Sequence, residues 1–137
     1  MIRPATEDDA EQILGLYLNS TNMGHSFEPA KYDVEDFRMY AGDERTILLV
    51  DQTCNILSGF VLAYNLLSWC YLDVLVVHHN FRRGGVAKEL IWEVRRHCLP
   101  GIPIESCYYS DDNDIKQFLQ KTGWEHNWVP TRWVKKR

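Results

Sequence analysis

Residues 71–91 read Tyr71-Leu72-Asp73-Val74-Leu75-Val76-Val77-His78-His79-Asn80-Phe81-Arg82-Arg83-Gly84-Gly85-Val86-Ala87-Lys88-Glu89-Leu90-Ile91. The first seven are apolar almost throughout and rich in β-branched side chains, the pattern of a strand buried on both faces. Only Asp73 interrupts it. His78 to Phe81 end the strand, and from Ala87 the apolar positions Ala87, Leu90, Ile91, Val94 and Cys98 recur on one face of a helix. The unit is therefore strand, basic glycine turn, helix.

The turn carries the chemistry. The first turn of a helix presents backbone N–H groups with no intrahelical partner, and the aligned peptide dipoles place about half a positive charge there. Anions bind at such ends. Gly84 and Gly85 remove the Cβ atoms that would hold a phosphate away, while Arg82 and Arg83 add cationic, bidentate donors. The stretch is read as a pyrophosphate cradle. It is not a Walker loop, because Lys88 is followed by Glu89 rather than a magnesium-binding hydroxyl. Nor does it carry the three spaced glycines of the dinucleotide fingerprint.

Composition narrows the remaining possibilities. The chain has 137 residues, 45% hydrophobic and 25% charged, which suits one globular domain over residues 1–137 and excludes a mainly disordered protein. A formal net charge of −4 argues against binding nucleic acid by phosphate neutralisation and favours a cationic substrate. Cys54, Cys70, Cys98 and Cys107 show no metal-binding spacing, so they are read as reduced core thiols, and no metal is expected. Met1-Ile2-Arg3-Pro4 runs straight into acidic Glu7-Asp8-Asp9 without the apolar stretch of a secretory signal. No run approaches the roughly eighteen apolar residues of a membrane span. A cytoplasmic location is expected.

In chain order, Ile2 and Arg3 form a short strand. Thr6 and Asp9 resemble a capping box that opens a helix whose apolar face is Ala10, Ile13, Leu14, Tyr17 and Leu18. Residues 20–32 have no sustained period and are expected to be a loop over a site; a short helix follows at 34–40. A hairpin is predicted with strands at 46–50 and 56–66 and a turn at 51–55, and Gly59 signals a bulge or a close backbone approach. Beyond the central unit come a strand at 104–108, a helix capped by Asp111 or Asp112 and closed by Gly123, and two short strands between Trp124 and Val134. The tail Lys135-Lys136-Arg137 is read as solvated. This is an α/β pattern.

The glycine turn resembles the acetyl-coenzyme A loop of the GCN5-related N-acetyltransferases, the GNAT family, whose pattern is Gln/Arg-x-x-Gly-x-Gly/Ala. Arg82, Gly85 and Ala87 occupy its three places. Asp112, Ile115, Phe118, Leu119, Lys121, Gly123 and Trp124 align to the family's last-helix pattern, with Asp112 where asparagine is frequent and Leu119 where tyrosine is. The resemblance implies a mixed twisted sheet of about six to seven strands flanked by about four helices. It also implies acetyl-coenzyme A as cosubstrate, with the pyrophosphate on Arg82, Arg83, Gly84, Gly85, Val86 and Ala87. The pantetheine arm would lie along Leu75, Val76 and Val77, where the 71–77 strand splays from the 104–108 strand. Phe27, Glu28 and Tyr32, between the first two helices, become acceptor contacts, with packing of the loop as their alternative role.

The implied reaction is direct transfer of acetyl to a primary amine in a ternary complex. A lysine-like amine is neutral in only about one part in 2,500 at pH 7, which costs roughly 4–5 kcal/mol, whereas an α-amine loses about 1 kcal/mol. A base therefore matters most for the former. Asp73 is the preferred base or amine-binding carboxylate, since burial raises a carboxyl pKa, though pairing with a basic neighbour would equally account for it. His78 and His79 are also candidates, but they adjoin the phosphate loop rather than the expected thioester. With Leu119 unable to donate a proton, Tyr108 and Tyr109 are the candidates to protonate the departing thiolate. The competing class is a coenzyme A-binding or protein-interaction module without turnover, for which five tryptophans and seven tyrosines provide material. A small amine, a protein amine and a homodimer all stay open.

Overall fold

The apolar run at 71–77 becomes the strand Cys70–Val77, the fourth of seven (β4). Around it stand β1 (Ile2–Pro4), β2 (Thr46–Thr53), β3 (Ile56–Asn65), β5 (Ile104–Cys107), β6 (Trp124–His126) and β7 (Arg132–Lys135). The helices are α1 (Ala10–Leu18), α2 (Val34–Tyr40) and α3 (Val86–His97). This computed structural model describes residues 1–19, 32–107, 117, 120–121, 123–126 and 132–135. The spatial order is β1-β2-β3-β4-β5-β7-β6, a mixed seven-stranded sheet of the class expected. Of the expected last helix, Gln117, Gln120 and Lys121 are helical, whereas Asp111, Asp112, Ile115, Phe118 and Leu119 lie outside the described residues.

Strands β1 to β4 form an antiparallel meander. β4 and β5 run parallel, as a strand–helix–strand crossover through α3 requires, and their pairing consists of Cys70 with Ile104, Tyr71 with Glu105 and Leu72 with Ser106. From Asp73 to Val77, β4 has no β5 partner among the described residues. The residues that follow β5, 108 to 116, where the resemblance puts the splay, lie outside the described residues.

The sheet separates two cores. On one face α3 lays Leu90, Ile91 and Val94 onto Ile47, Leu49, Val61, Ala63, Leu72 and Leu75. On the other, α1 and α2 bring Ile13, Tyr17 and Phe37 against Leu48, Val50, Phe60, Leu62, Val74 and Val76. The even spacing of Phe60, Leu62 and Val74, Val76, alternating with Val61 and Leu75, is the two-residue period of a strand used on both sides. Gly59 satisfies both expectations held for it. Ser58 is the extra residue of a bulge between the pairs Asp51–Gly59 and Gln52–Leu57. A Cβ on Gly59 would also lie 2.8 Å from the Val76 carbonyl oxygen and 3.2 Å from Val86 Cγ1, so glycine lets α3 approach.

Three local expectations are corrected. The hairpin turn is Cys54 and Asn55 alone, because β2 continues through Asp51, Gln52 and Thr53. Asp51 is buried in that extension, its carboxylate receiving the Ser58 hydroxyl. Cys54 is an exposed thiol rather than a core one, in the left-handed region at φ 58°; Cys70 and Cys98 are buried as expected. Leu18 is 55% exposed at the end of α1 instead of joining its apolar face. The Thr6 box does form. The Asp9 carboxylate accepts the Thr6 amide at 2.8 Å and is gripped by Arg3 at 2.7 and 3.0 Å.

Candidate active site

After β4, a turn of 3-10 helix, His79–Phe81, leads into an exposed stretch of Arg82, Arg83, Gly84 and Gly85. Gly85 is the residue immediately before α3 and has φ 87°, a conformation glycine adopts without strain. A Cβ built on it meets nothing within 4 Å, so the space over the first turn of α3 is open. The Arg82 guanidinium folds back over the end of β4, donating from Nε to the Val77 carbonyl at 3.1 Å. An open helix N-terminus, two arginines and a glycine are thus assembled where the sequence put the cradle. Beside it, Val76, Val77, His78, His79 and Arg82 line a groove of about 510 Å³ together with Leu16 of α1 and Asn19 just beyond it. Among the described residues no carboxylate lines it.

The two histidines are engaged with the turn itself. His78 Nδ1 accepts the Asn80 amide at 3.1 Å, and its ring stacks on His79 with centroids 4.4 Å apart. Among the described residues there is no group of three or more His, Cys, Asp or Glu side chains able to hold a metal ion.

Asp73 owes its position to a bulge. β3 and β4 pair Leu62 with Val74 and then Ala63 with Leu72, which leaves Asp73 as the extra residue. A bulge breaks the alternation, and Asp73 meets Tyr32 on the α1/α2 face, the side that also takes its neighbour Val74. The Asp73 carboxylate is 4% exposed and receives the Tyr32 hydroxyl. Tyr32 is 6% exposed and its hydroxyl lies 2.6 Å from that of Tyr64. The rings of Tyr17, Phe37 and Tyr40 pack around Tyr32 at 5.7–5.8 Å, and Tyr40 meets Tyr64 edge-on at 5.9 Å. Burial, reinforced by the adjacent Asp73 carboxylate, pushes the Tyr32 phenol far above its ordinary pKa. Burial likewise raises Tyr64. Both phenols therefore stay protonated, Tyr32 as the donor to Asp73 and Tyr64 as its hydroxyl partner.

Two residues singled out from sequence, Tyr32 and Asp73, are brought together, the Tyr32 hydroxyl donating to the Asp73 carboxylate. Phe27, Glu28, Tyr108 and Tyr109 lie outside the described residues. Tyr64 and Tyr40 were missed. The only signal for Tyr64 was its place two residues after Leu62 on the same strand face.

The sequence pattern of the acetyltransferase (GNAT) family matches residues 10–124. No curated protein matches by sequence. Among solved structures, the PaiA N-acetyltransferase of Thermoplasma acidophilum in complex with coenzyme A is 15% identical, with a TM-score of 0.80 over 100% of this chain and 98% of that one. The ribosomal-protein-S18-alanine N-acetyltransferase of Escherichia coli is 12% identical, with a TM-score of 0.71 over 98% of this chain and 92% of that one. AAC(6')-Iy, in complex with a bisubstrate analogue, is 20% identical, with a TM-score of 0.68 over 92% and 90% of the two chains. With a family match running from the first residue of α1 to the first of β6, this protein belongs to the acetyltransferase (GNAT) family, enzymes whose acetyl donor is acetyl-coenzyme A.

Proposed function

We propose that the chain acetylates a primary amine by direct attack on acetyl-coenzyme A in a ternary complex, with Asp73 as the group that takes the amine proton. The observation that carries this reading is the bulge, which puts a buried carboxylate on β4 one residue beyond the last described β4–β5 pair.

The residues present fit the cosubstrate. Arg82, Arg83 and the N–H groups from Gly84 to Ala87 form a cationic, sterically open end for a pyrophosphate. Leu75, Val76 and Val77 offer backbone along an unpaired strand margin to an amide-bearing arm. Bound there, the cosubstrate supplies an activated acetyl thioester. Asp73 then holds or deprotonates the acceptor amine, and Phe27, Glu28 and Tyr32 shape its approach. Tyr108 or Tyr109 protonates the thiolate in place of the tyrosine that Leu119 replaces. A thiol pKa near 8.5 makes that help worth only a modest factor. The same reading puts the protein in the cytoplasm, in keeping with the free thiols of Cys54, Cys70 and Cys98.

A thiol-release assay with acetyl-coenzyme A against small amines, lysine peptides and free N-terminal peptides tests the reaction. Turnover with one amine class is expected, and binding of acetyl-coenzyme A without any turnover would replace the enzyme with a binding module. Calorimetry on Gly85→Glu tests the cradle. Coenzyme A binding should be abolished because an acidic side chain enters the phosphate position, and unchanged affinity would remove the loop from the site.

A further inference from the structure

We propose that Tyr32 and Tyr64 form a proton relay that carries the amine proton from Asp73 to solvent, making Tyr64 a relay residue of the acetylation. The proposal rests on Asp73 as the base.

Acetylating an ammonium removes two protons from nitrogen. As the N–C bond forms and the C–S bond breaks, one proton ends on the departing sulfur, and the other has to reach water. Asp73 accepts the second, but at 4% exposure the carboxylate has little water of its own. A protonated Asp73 that kept its proton would stop the next cycle. The geometry provides a way out. The Tyr32 hydroxyl bridges Asp73 and Tyr64, and Tyr64 is only half-buried, near the end of β3. Protonation of Asp73 reverses the chain, its carboxyl now donating to Tyr32 and Tyr32 to Tyr64, and one concerted shift then moves the Tyr64 proton to water, the Tyr32 proton to Tyr64 and the Asp73 proton to Tyr32. Both phenols finish neutral, so no phenolate forms, in keeping with the raised pKa of each. The rings are fixed for the task. Tyr32 is held by Tyr17, Phe37 and Tyr40, and Tyr64 by Tyr40.

Tyr64→Phe removes the hydroxyl and keeps the ring contact with Tyr40. With a lysine-like amine its kcat should fall about tenfold, less than the roughly 10²–10⁴ of direct acid–base catalysis because Asp73 itself is kept, while KM for amine and for acetyl-coenzyme A stays put. The rate measured against the fraction of D2O should be a curve for the wild type, as several protons move together, and a straight line for Tyr64→Phe. Tyr32→Phe, which keeps its three ring contacts, should lose at least as much. Unchanged kcat and an unchanged curve in Tyr64→Phe would overturn the relay. Asp73→Asn separates this from the parent reading. If Asp73→Asn is slow while Tyr64→Phe behaves as wild type, the relay alone fails. If Asp73→Asn is as fast as wild type, or the wild type turns over no amine, the base fails and the relay with it.

Discussion

The two faces of the sheet are filled with different chemistry. Under α3 the described core is aliphatic apart from the Cys70 and Cys98 thiols and Trp124, and its attraction depends on area and fit. Beneath α1 and α2 it is crowded with Tyr17, Tyr32, Phe37 and Phe60, and it surrounds a carboxylate. Aliphatic packing is non-directional, whereas hydrogen bonds and ring edges impose angles and positions. The comparison teaches that one side of β4 anchors the strand while the other aims a group that β4 carries.

Leu90→Ala should break the anchoring side most severely. Leu90 is fully buried between α3 and the sheet, so the cavity costs about 2–5 kcal/mol in urea unfolding, with kcat per folded molecule unchanged. A kcat that fell with stability would mean the two faces are not separable. Gly59→Ala comes next, at roughly 1–3 kcal/mol, because its Cβ meets the Val76 backbone carbonyl at 2.8 Å and neither strand can yield cheaply. A neutral effect would show that β3 and β4 slide apart freely.

Two acids near the aromatic face sharpen the contrast. Asp9 is pinned by Arg3, and Asp9→Asn should cost about 1–3 kcal/mol at pH 7 through the lost charge-assisted bonds. The Arg3 hydrogen bond first, then the Thr6 amide, hold the Asp9 carboxyl below its usual pKa against the opposing effect of burial. Its stabilisation is therefore fully present above the ordinary carboxylate range near pH 4 and fades as pH falls through the depressed folded value. Wild type and Asp9→Asn should converge in acid, and a gap that persisted unchanged to about pH 2 would remove the ion pair as its cause. Asp73→Asn should change stability least, by less than about 1 kcal/mol, since asparagine still accepts from Tyr32. Its turnover should nevertheless drop by a factor of about 10² or more. A large stability loss with normal turnover would make Asp73 structural.

What could be read from the sequence was local. Residues 71–91 announce strand, turn and helix because each signal lies within a few positions of the next. Asp51, Gln52 and Thr53 misled for the opposite reason: polar residues that read as a turn are strand when Met1 and Ile2 come from fifty residues away to pair with them. Asp73 stood out as an acid in an apolar run, but its facing depends on a bulge that only the pairing with β3 defines. Tyr64 gave almost no signal, because its meaning lies in a hydroxyl contact with Tyr32, thirty-two residues away in sequence.

The short parallel seam between β4 and β5 has a mechanical consequence. Among the described residues, three residue pairs join a leaf of four strands to a leaf of three, like two boards on a narrow spine. An arm laid along Val74 to Val77 with its own amide groups would lengthen that spine and brace the boards against each other. Amide hydrogen exchange at the open margin of β4 should slow when the donor binds, before any amine is present, and the two leaves would then stiffen as one sheet.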